Sequence, residues 1–141
     1  GLNYGAANFF ALLNTNGLDV YAYGNFGMGL AFGVCALLTV SGVRRAGRMN
    51  RRMYLRYALL FPLMIVFCLP RMHERYFYLA DAMAIAAAAE DKRMTPAAGL
   101  IALASLGSYW ETALPLSACA WMMFAAGIWT IGHTQREENM L

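Results

Sequence analysis

Pro70-Arg71-Met72-His73-Glu74-Arg75-Tyr76-Phe77-Tyr78-Leu79-Ala80-Asp81 is the stretch from which the fold is read. Five ionisable groups, Arg71, His73, Glu74, Arg75 and Asp81, stand here between two strongly apolar runs. In a water-soluble protein this would be an ordinary charged helix start. At the edge of a bilayer the same groups are costly unless paired, which makes them candidates for a functional site. Composition chooses between the two. The chain is 60% hydrophobic and 13% charged, against about 25% charged in an average soluble domain. Its apolar residues also come in blocks rather than at amphipathic spacing. Cys35, Cys68 and Cys119 each lie inside an apolar block and read as small hydrophobes, not as a disulfide or metal set.

Outward from this stretch, residues 57–70 form a short apolar run containing Pro62, long enough to cross a bilayer only if Arg56 snorkels to the headgroups. Residues 73–89 return as a helix, and Glu90-Asp91-Lys92-Arg93 marks the next boundary. Thr95 and Pro96 read as N-cap and first helical residue. The span they open, 97–110, ends in Tyr109 and Trp110 at an interface, beside Glu111. A further span covers 113–132, and His133 to Leu141 reads as a polar, acidic tail. Upstream, 24–43 is uncharged and contains Gly29 and Gly33, a spacing that lets helices approach closely in lipid; loose packing without a specific partner is the alternative.

Residues 1–23 read as an outer-face segment, with a short helical turn at Asn8-Phe9-Phe10-Ala11-Leu12-Leu13 and a loop at Asn14-Thr15-Asn16-Gly17. The chain begins at Gly1 and shows no signal peptide, so the expectation is a piece of a longer or processed protein. The expected fold class is therefore all-α: a polytopic membrane region of about five transmembrane spans, N-terminus outside and C-terminus cytoplasmic. The basic residues agree with that orientation. Six arginines in 44–56, two basic residues at 92–93 and Arg136 make nine inside, and Arg71 and Arg75 are the two outside. Flanked by apolar spans, the arginine run is a cytoplasmic loop and not a nucleic-acid site.

If 71–81 is helical, Arg71 and Arg75 share one face, and Glu74, Tyr78 and Asp81 another. Like charges at that spacing repel unless an anion lies between them, and a lipid-linked phosphate at the outer leaflet fits guanidinium chemistry. His73 would donate to the same group or to a sugar hydroxyl, and Glu74 would orient Arg75 or His73 or hold an acceptor hydroxyl. The alternative is that both arginines are interfacial anchors with Glu74 as their salt-bridge partner. Asp81, deeper in the helix, would be capped by Arg75 or a tyrosine hydroxyl, or protonated, in a structural contact. Other chemistry is set aside. His73 and His133 fall on opposite faces, no Cys/His cluster has zinc spacing, and Ser105, Ser108 and Ser117 lack a histidine on their own side. No glycine loop precedes a Lys-Ser/Thr pair, and no residue set in this chain reads as a metal site or assigns a cofactor.

The stretch Leu69 to Asp81 resembles the Met-His-Glu-Arg-Tyr signature near the end of bacterial GT-C-type membrane glycosyltransferases, which are similar to mannosyltransferases using polyprenyl-phosphate sugars. The eukaryotic dolichyl-phosphate-glucose enzymes carry a related His-Glu-Lys motif. Leu2-Asn3-Tyr4-Gly5-Ala6-Ala7-Asn8-Phe9-Phe10-Ala11-Leu12-Leu13 is similar to the Asn-containing segment that precedes the signature in that family. The resemblance covers roughly residues 1–90; residues 91–141 match only as generic spans.

The resemblance implies transfer of a mannose-like sugar from a polyprenyl-phosphate donor at the non-cytoplasmic face of a bacterial inner membrane. Asn8, Arg71, His73, Glu74 and Arg75 would lie at the substrate, with Glu74 as catalytic support. The family's acidic residue in a first outer loop has no match, since Asp19 follows the Asn8 segment rather than a first span. The chain is therefore expected to be the C-terminal portion of a larger enzyme, without a general base and inactive alone, completed by an N-terminal half or a partner subunit. Two other classes stay open: a small non-enzymatic membrane subunit packing through Gly29 and Gly33, and a transporter or channel fragment using Asp81 and Glu74 as an ion or proton site.

Overall fold

The computed structural model describes residues 2–13, 17–110 and 114–140. The loop expected at Asn14 to Asn16, the placement of Glu111 and the expected span start at Ala113 lie outside the described residues. Among the described residues six α-helices follow one another: α1 Phe9–Leu12, α2 Val20–Arg45, α3 Arg51–Cys68, α4 Tyr78–Glu90, α5 Thr95–Tyr109 and α6 Leu116–Met140. Single 3-10 turns cover Ala46–Arg48, Glu74–Phe77 and Lys92–Met94. Among the described residues there is no strand; the extended pairing is confined to isolated bridges from Tyr4 and Gly5 to His73.

Capping side chains set several starts. Asn8 caps α1 by accepting from the Phe10 and Ala11 amides, Asp19 caps α2 through Tyr21 and Ala22, and Asn50 caps α3 through Met53. Each satisfies amides that a helix leaves unpaired at its N-terminus. Thr95 is not the expected cap. Asp91 accepts from the Arg93 amide instead and starts a 3-10 turn that runs directly into α5, so Thr95 is already helical. Pro62 sits inside α3, which continues past it to Cys68.

The core lies between α3, α4, α5 and α6. Small residues recur at helical spacing on the facing sides, Ala80, Ala84 and Ala87 on α4, Ala97 and Ala104 on α5, and Cys119, Ala120 and Ala126 on α6, with Ile101 and Met123 as larger side chains among them. Small side chains let the backbones approach, so packing rather than bulk fills this interior. A Cβ added at Gly107 would lie 2.7 Å from Cys119 Sγ.

Several helices expose large apolar side chains. Phe32, Leu37 and Val43 on α2, Ile85 on α4, Leu103 and Leu106 on α5, and Trp121 and Ile128 on α6 are all exposed. Among the described residues two helices are long and apolar enough to cross a membrane: Val20–Arg48, counting its terminal turn, and Leu116–Met140. The first has only 11% of its most apolar window buried, which does not suit the core helix of a soluble protein. It packs mainly on α3. The close approach there is at Gly27, where an added Cβ would stand 2.5 Å from the Phe10 ring and 3.0 Å from the Cys68 carbonyl oxygen. Gly29 and Gly33 have open space in front of them.

Two expectations about charged groups are corrected. Arg56 does not snorkel: it is 1% exposed and points into the bundle. The residues from His133 onward are not a loose tail, because α6 continues to Met140. The reason for both is a set of ion pairs described next.

Candidate functional site

Polar groups gather at the two ends of the bundle, separated along α3 by roughly 20 Å from Arg56 to Leu69 at the α-helical rise.

The first end is built by docking residues 2–8 onto the turn that follows α3. The Arg71 amide donates to the Leu2 carbonyl at 2.8 Å, and the Tyr4 amide donates to the Met72 carbonyl at 3.2 Å. Asn8 Nδ2 donates to the Leu69 carbonyl at 3.2 Å while its Oδ1 caps α1. Asn8 is fully buried and all of these bonds go to backbone. It is therefore a positioning residue that joins two segments 61 positions apart. Gly5, at φ +88, lets the chain pass beside Glu74, whose Oε2 would lie 3.0 Å from an added Cβ.

Arg71, His73, Glu74 and Arg75 follow one another through this turn, but not on one helical face. Arg71 has φ 59, the one left-handed non-glycine among the described residues. His73 is extended, and helical geometry begins only at Glu74. The expected stacking of Arg71 over Arg75 at helical spacing is thus corrected; the bonds to Leu2 and Tyr4 hold the turn open instead. A side chain in the left-handed region costs about 1–3 kcal/mol, and such residues cluster at binding sites. The His73 ring stacks on Tyr4, with centroids 5.3 Å apart, and leans toward Tyr76 at 6.0 Å.

Arg71 and Arg75 are exposed and Glu74 is half-buried. Among the described residues none of the three forms an ion pair within 4.0 Å, so Glu74 is not the salt-bridge partner of either arginine. A groove of about 380 Å³ runs from Arg71 along the first turns of α2, past Tyr21, Asn25 and Met28. A guanidinium without an ion-pair partner among the described residues, such as Arg71 beside this apolar groove, can hold an anion carrying a long apolar chain. Asp19 is occupied as the α2 cap. Asp81 accepts from Ser105 Oγ at 2.7 Å across the α4–α5 contact, so its partner is neither Arg75 nor a tyrosine.

The second end was not legible as a unit in the sequence. Arg56 donates to Asp91 Oδ2 at 2.5 Å and to the His133 carbonyl at 3.1 Å, and it also pairs with Glu137. Its Nε finds no acceptor among the described residues. Arg45 pairs with Glu138, with Nε to Oε1 and Nη2 to Oε2 both at 2.6 Å, and also donates to the Tyr57 hydroxyl at 2.5 Å. Asn50 Nδ2 reaches Glu137 at 2.6 Å, and Trp129 Nε1 donates to the Arg93 carbonyl at 3.0 Å. Carboxylates at a helix C-terminus oppose its dipole; these cations offset that and keep α6 helical to Met140. For Asp91, burial pushes the carboxyl up. The Arg93 amide, the Arg56 hydrogen bond and the charges of Arg56 and Arg52 outweigh it and hold the group below its ordinary value of 3.8.

His73 belongs to the first end and His133 to the second. Among the described residues no group of three or more His, Cys, Asp or Glu side chains is arranged to hold a metal ion. No family model, curated protein or solved structure matches the chain.

Proposed function

We propose that the chain is the C-terminal membrane region of a glycosyltransferase that moves a mannose-like sugar from a polyprenyl-phosphate donor at the non-cytoplasmic face, and that Arg71, His73, Glu74 and Arg75 form part of its lipid-phosphate site. The observation that carries this reading is the docking of residues 2–8 onto Leu69–Met72 by three hydrogen bonds, which leaves Arg71, without an ion-pair partner among the described residues, beside an apolar groove. The two segments on which the resemblance rests are the same two that meet. In this reading all five long helices cross a bacterial inner membrane, N-terminus outside. The helical stretches Glu74–Glu90 and Lys92–Tyr109, each counted with its 3-10 turn, come to roughly 28 Å, close to the ~30 Å hydrocarbon thickness. The rest of the enzyme, with its general base, lies in an N-terminal half or partner subunit.

The test is sugar transfer by the intact enzyme in its own membrane. Removing a charge-assisted bond to phosphate is worth about 1.5–3 kcal/mol, or roughly ten- to a hundredfold. Arg75→Ala and His73→Ala should therefore cut transfer by at least about tenfold without changing the amount of protein in the membrane. Wild-type rates in both variants overturn the assignment. A second reading, a non-enzymatic subunit, is favoured by one observation: the open face of α2 at Gly29 and Gly33. Gly29→Leu with Gly33→Leu abolishing assembly, while His73→Ala and Arg75→Ala change nothing, would establish that reading instead.

A further inference from the structure

A second cavity, of about 350 Å³, lies at the opposite end of α2 from the proposed sugar site. Arg44, Arg45 and Arg48 stand around its rim with Glu138, and Leu37, Val40 and Met53 form its apolar wall. Arg45 is neutralised by Glu138 through two bonds, whereas Arg44 and Arg48 have no ion-pair partner among the described residues. Three cations and one carboxylate leave the rim at +2. The wall descends from the charged rim along the exposed Leu37 and Val40 surface of α2.

We propose that this cavity binds the phosphate diester of an anionic phospholipid from the leaflet on that side, with the phosphate between Arg44 and Arg48 and an acyl chain along Leu37 and Val40. Charge above and apolar surface below match the two parts of such a lipid, and basic pockets at helix ends on the cytoplasmic side are suited to anionic headgroups. Glu138, tied to Arg45, closes the side facing α6, so the free anion-binding capacity points to the rim. The proposal rests on the membrane part of the reading above and is independent of the sugar chemistry.

The full chain is purified in neutral detergent with phosphatidylglycerol or phosphatidylcholine, and retained lipid is counted by native mass spectrometry. Each arginine near an anionic headgroup contributes about a fivefold preference, so the pair predicts roughly twenty-five-fold for phosphatidylglycerol. Arg44→Gln with Arg48→Gln should remove that preference, while Lys92→Gln with Arg136→Gln, exposed basic residues outside the cavity, should keep it. Leu37→Trp, which fills the apolar wall without touching a charge, should also lower retention with helix content unchanged. Inorganic phosphate should not displace the lipid. Equal retention of both lipids, equal loss in the two glutamine pairs, or displacement by inorganic phosphate overturns the proposal; the last result would assign a free-anion site. Because sugar transfer is not read in this experiment, its failure leaves the sugar site to be judged by its own assay.

Discussion

Replacing Arg56 by Met is expected to destabilise the bundle by about 3 kcal/mol, the lower end of the range for breaking a buried ion pair from one side. Arg56 is 1% exposed and sits between Asp91 and Glu137, whose side chains are 8% and 12% exposed. Without the guanidinium two carboxylates face each other and the His133 carbonyl loses a donor. The cost stays at the low end because Asp91 keeps the Arg93 amide and Glu137 keeps Asn50. About 3 kcal/mol is roughly a hundredfold in the folding equilibrium. The assay is unfolding in mild detergent titrated with dodecyl sulfate, followed by helix circular dichroism. Trp129 fluorescence is a local reporter, since its ring stacks on His133 with centroids 5.0 Å apart. Neutralising the triad together, Arg56→Met with Asp91→Asn and Glu137→Gln, should recover most of the loss, because a buried ion cluster replaced as a unit is often close to neutral. A single Arg56→Met variant within about 0.5 kcal/mol of the parent would refute the reasoning, since surface changes have effects of that size.

Three further outcomes are expected. The Asp91 carboxyl is lowered in the folded chain, so its contribution is fully present above the ordinary value of 3.8 and is lost as pH falls through the lowered one; unfolding midpoints measured against pH should fall only in that acid range, and Arg56→Met should move the fall to higher pH. Gly27→Ala should cost about 1–3 kcal/mol by overpacking against Phe10 and the Cys68 carbonyl, whereas Gly29→Ala and Gly33→Ala should leave the stability of this chain unreduced, as the same unfolding assay can show. Ser105→Ala should cost about 1 kcal/mol by stripping Asp81 of its 2.7 Å donor, and Asp81→Asn, which still accepts from Ser105, should cost less; the reverse order would mean that Asp81 acts as a charge.

The helices were legible because apolar blocks separated by arginine, proline and acidic clusters leave few other solutions. Their ends were not, because long-range pairs set them. Nothing local marks His133 to Met140 as helical, and it is Glu137 and Glu138 meeting Arg56 and Arg45 that extend α6. Asp91 replaced Thr95 at the start of the next helix for the same reason: Arg56 holds it in place. In sequence all the glycines of α2 look alike, and only the position of Phe10 singles out Gly27. At the candidate site the residue types were legible but their geometry was not. Arginine carries no signal for a left-handed backbone, and the docking of Leu2 and Tyr4 that produces it spans the whole of α2 and α3.

The most direct measurement is photo-crosslinking in native membranes with a polyprenyl phosphate carrying a diazirine beside its phosphate, followed by peptide mapping. The account predicts labelling within Arg71 to Tyr76 and along the groove at Tyr21 to Met28, reduced by Arg71→Gln with Arg75→Gln. Labelling confined to the Arg44 to Met53 end, or labelling indifferent to that pair, would contradict it.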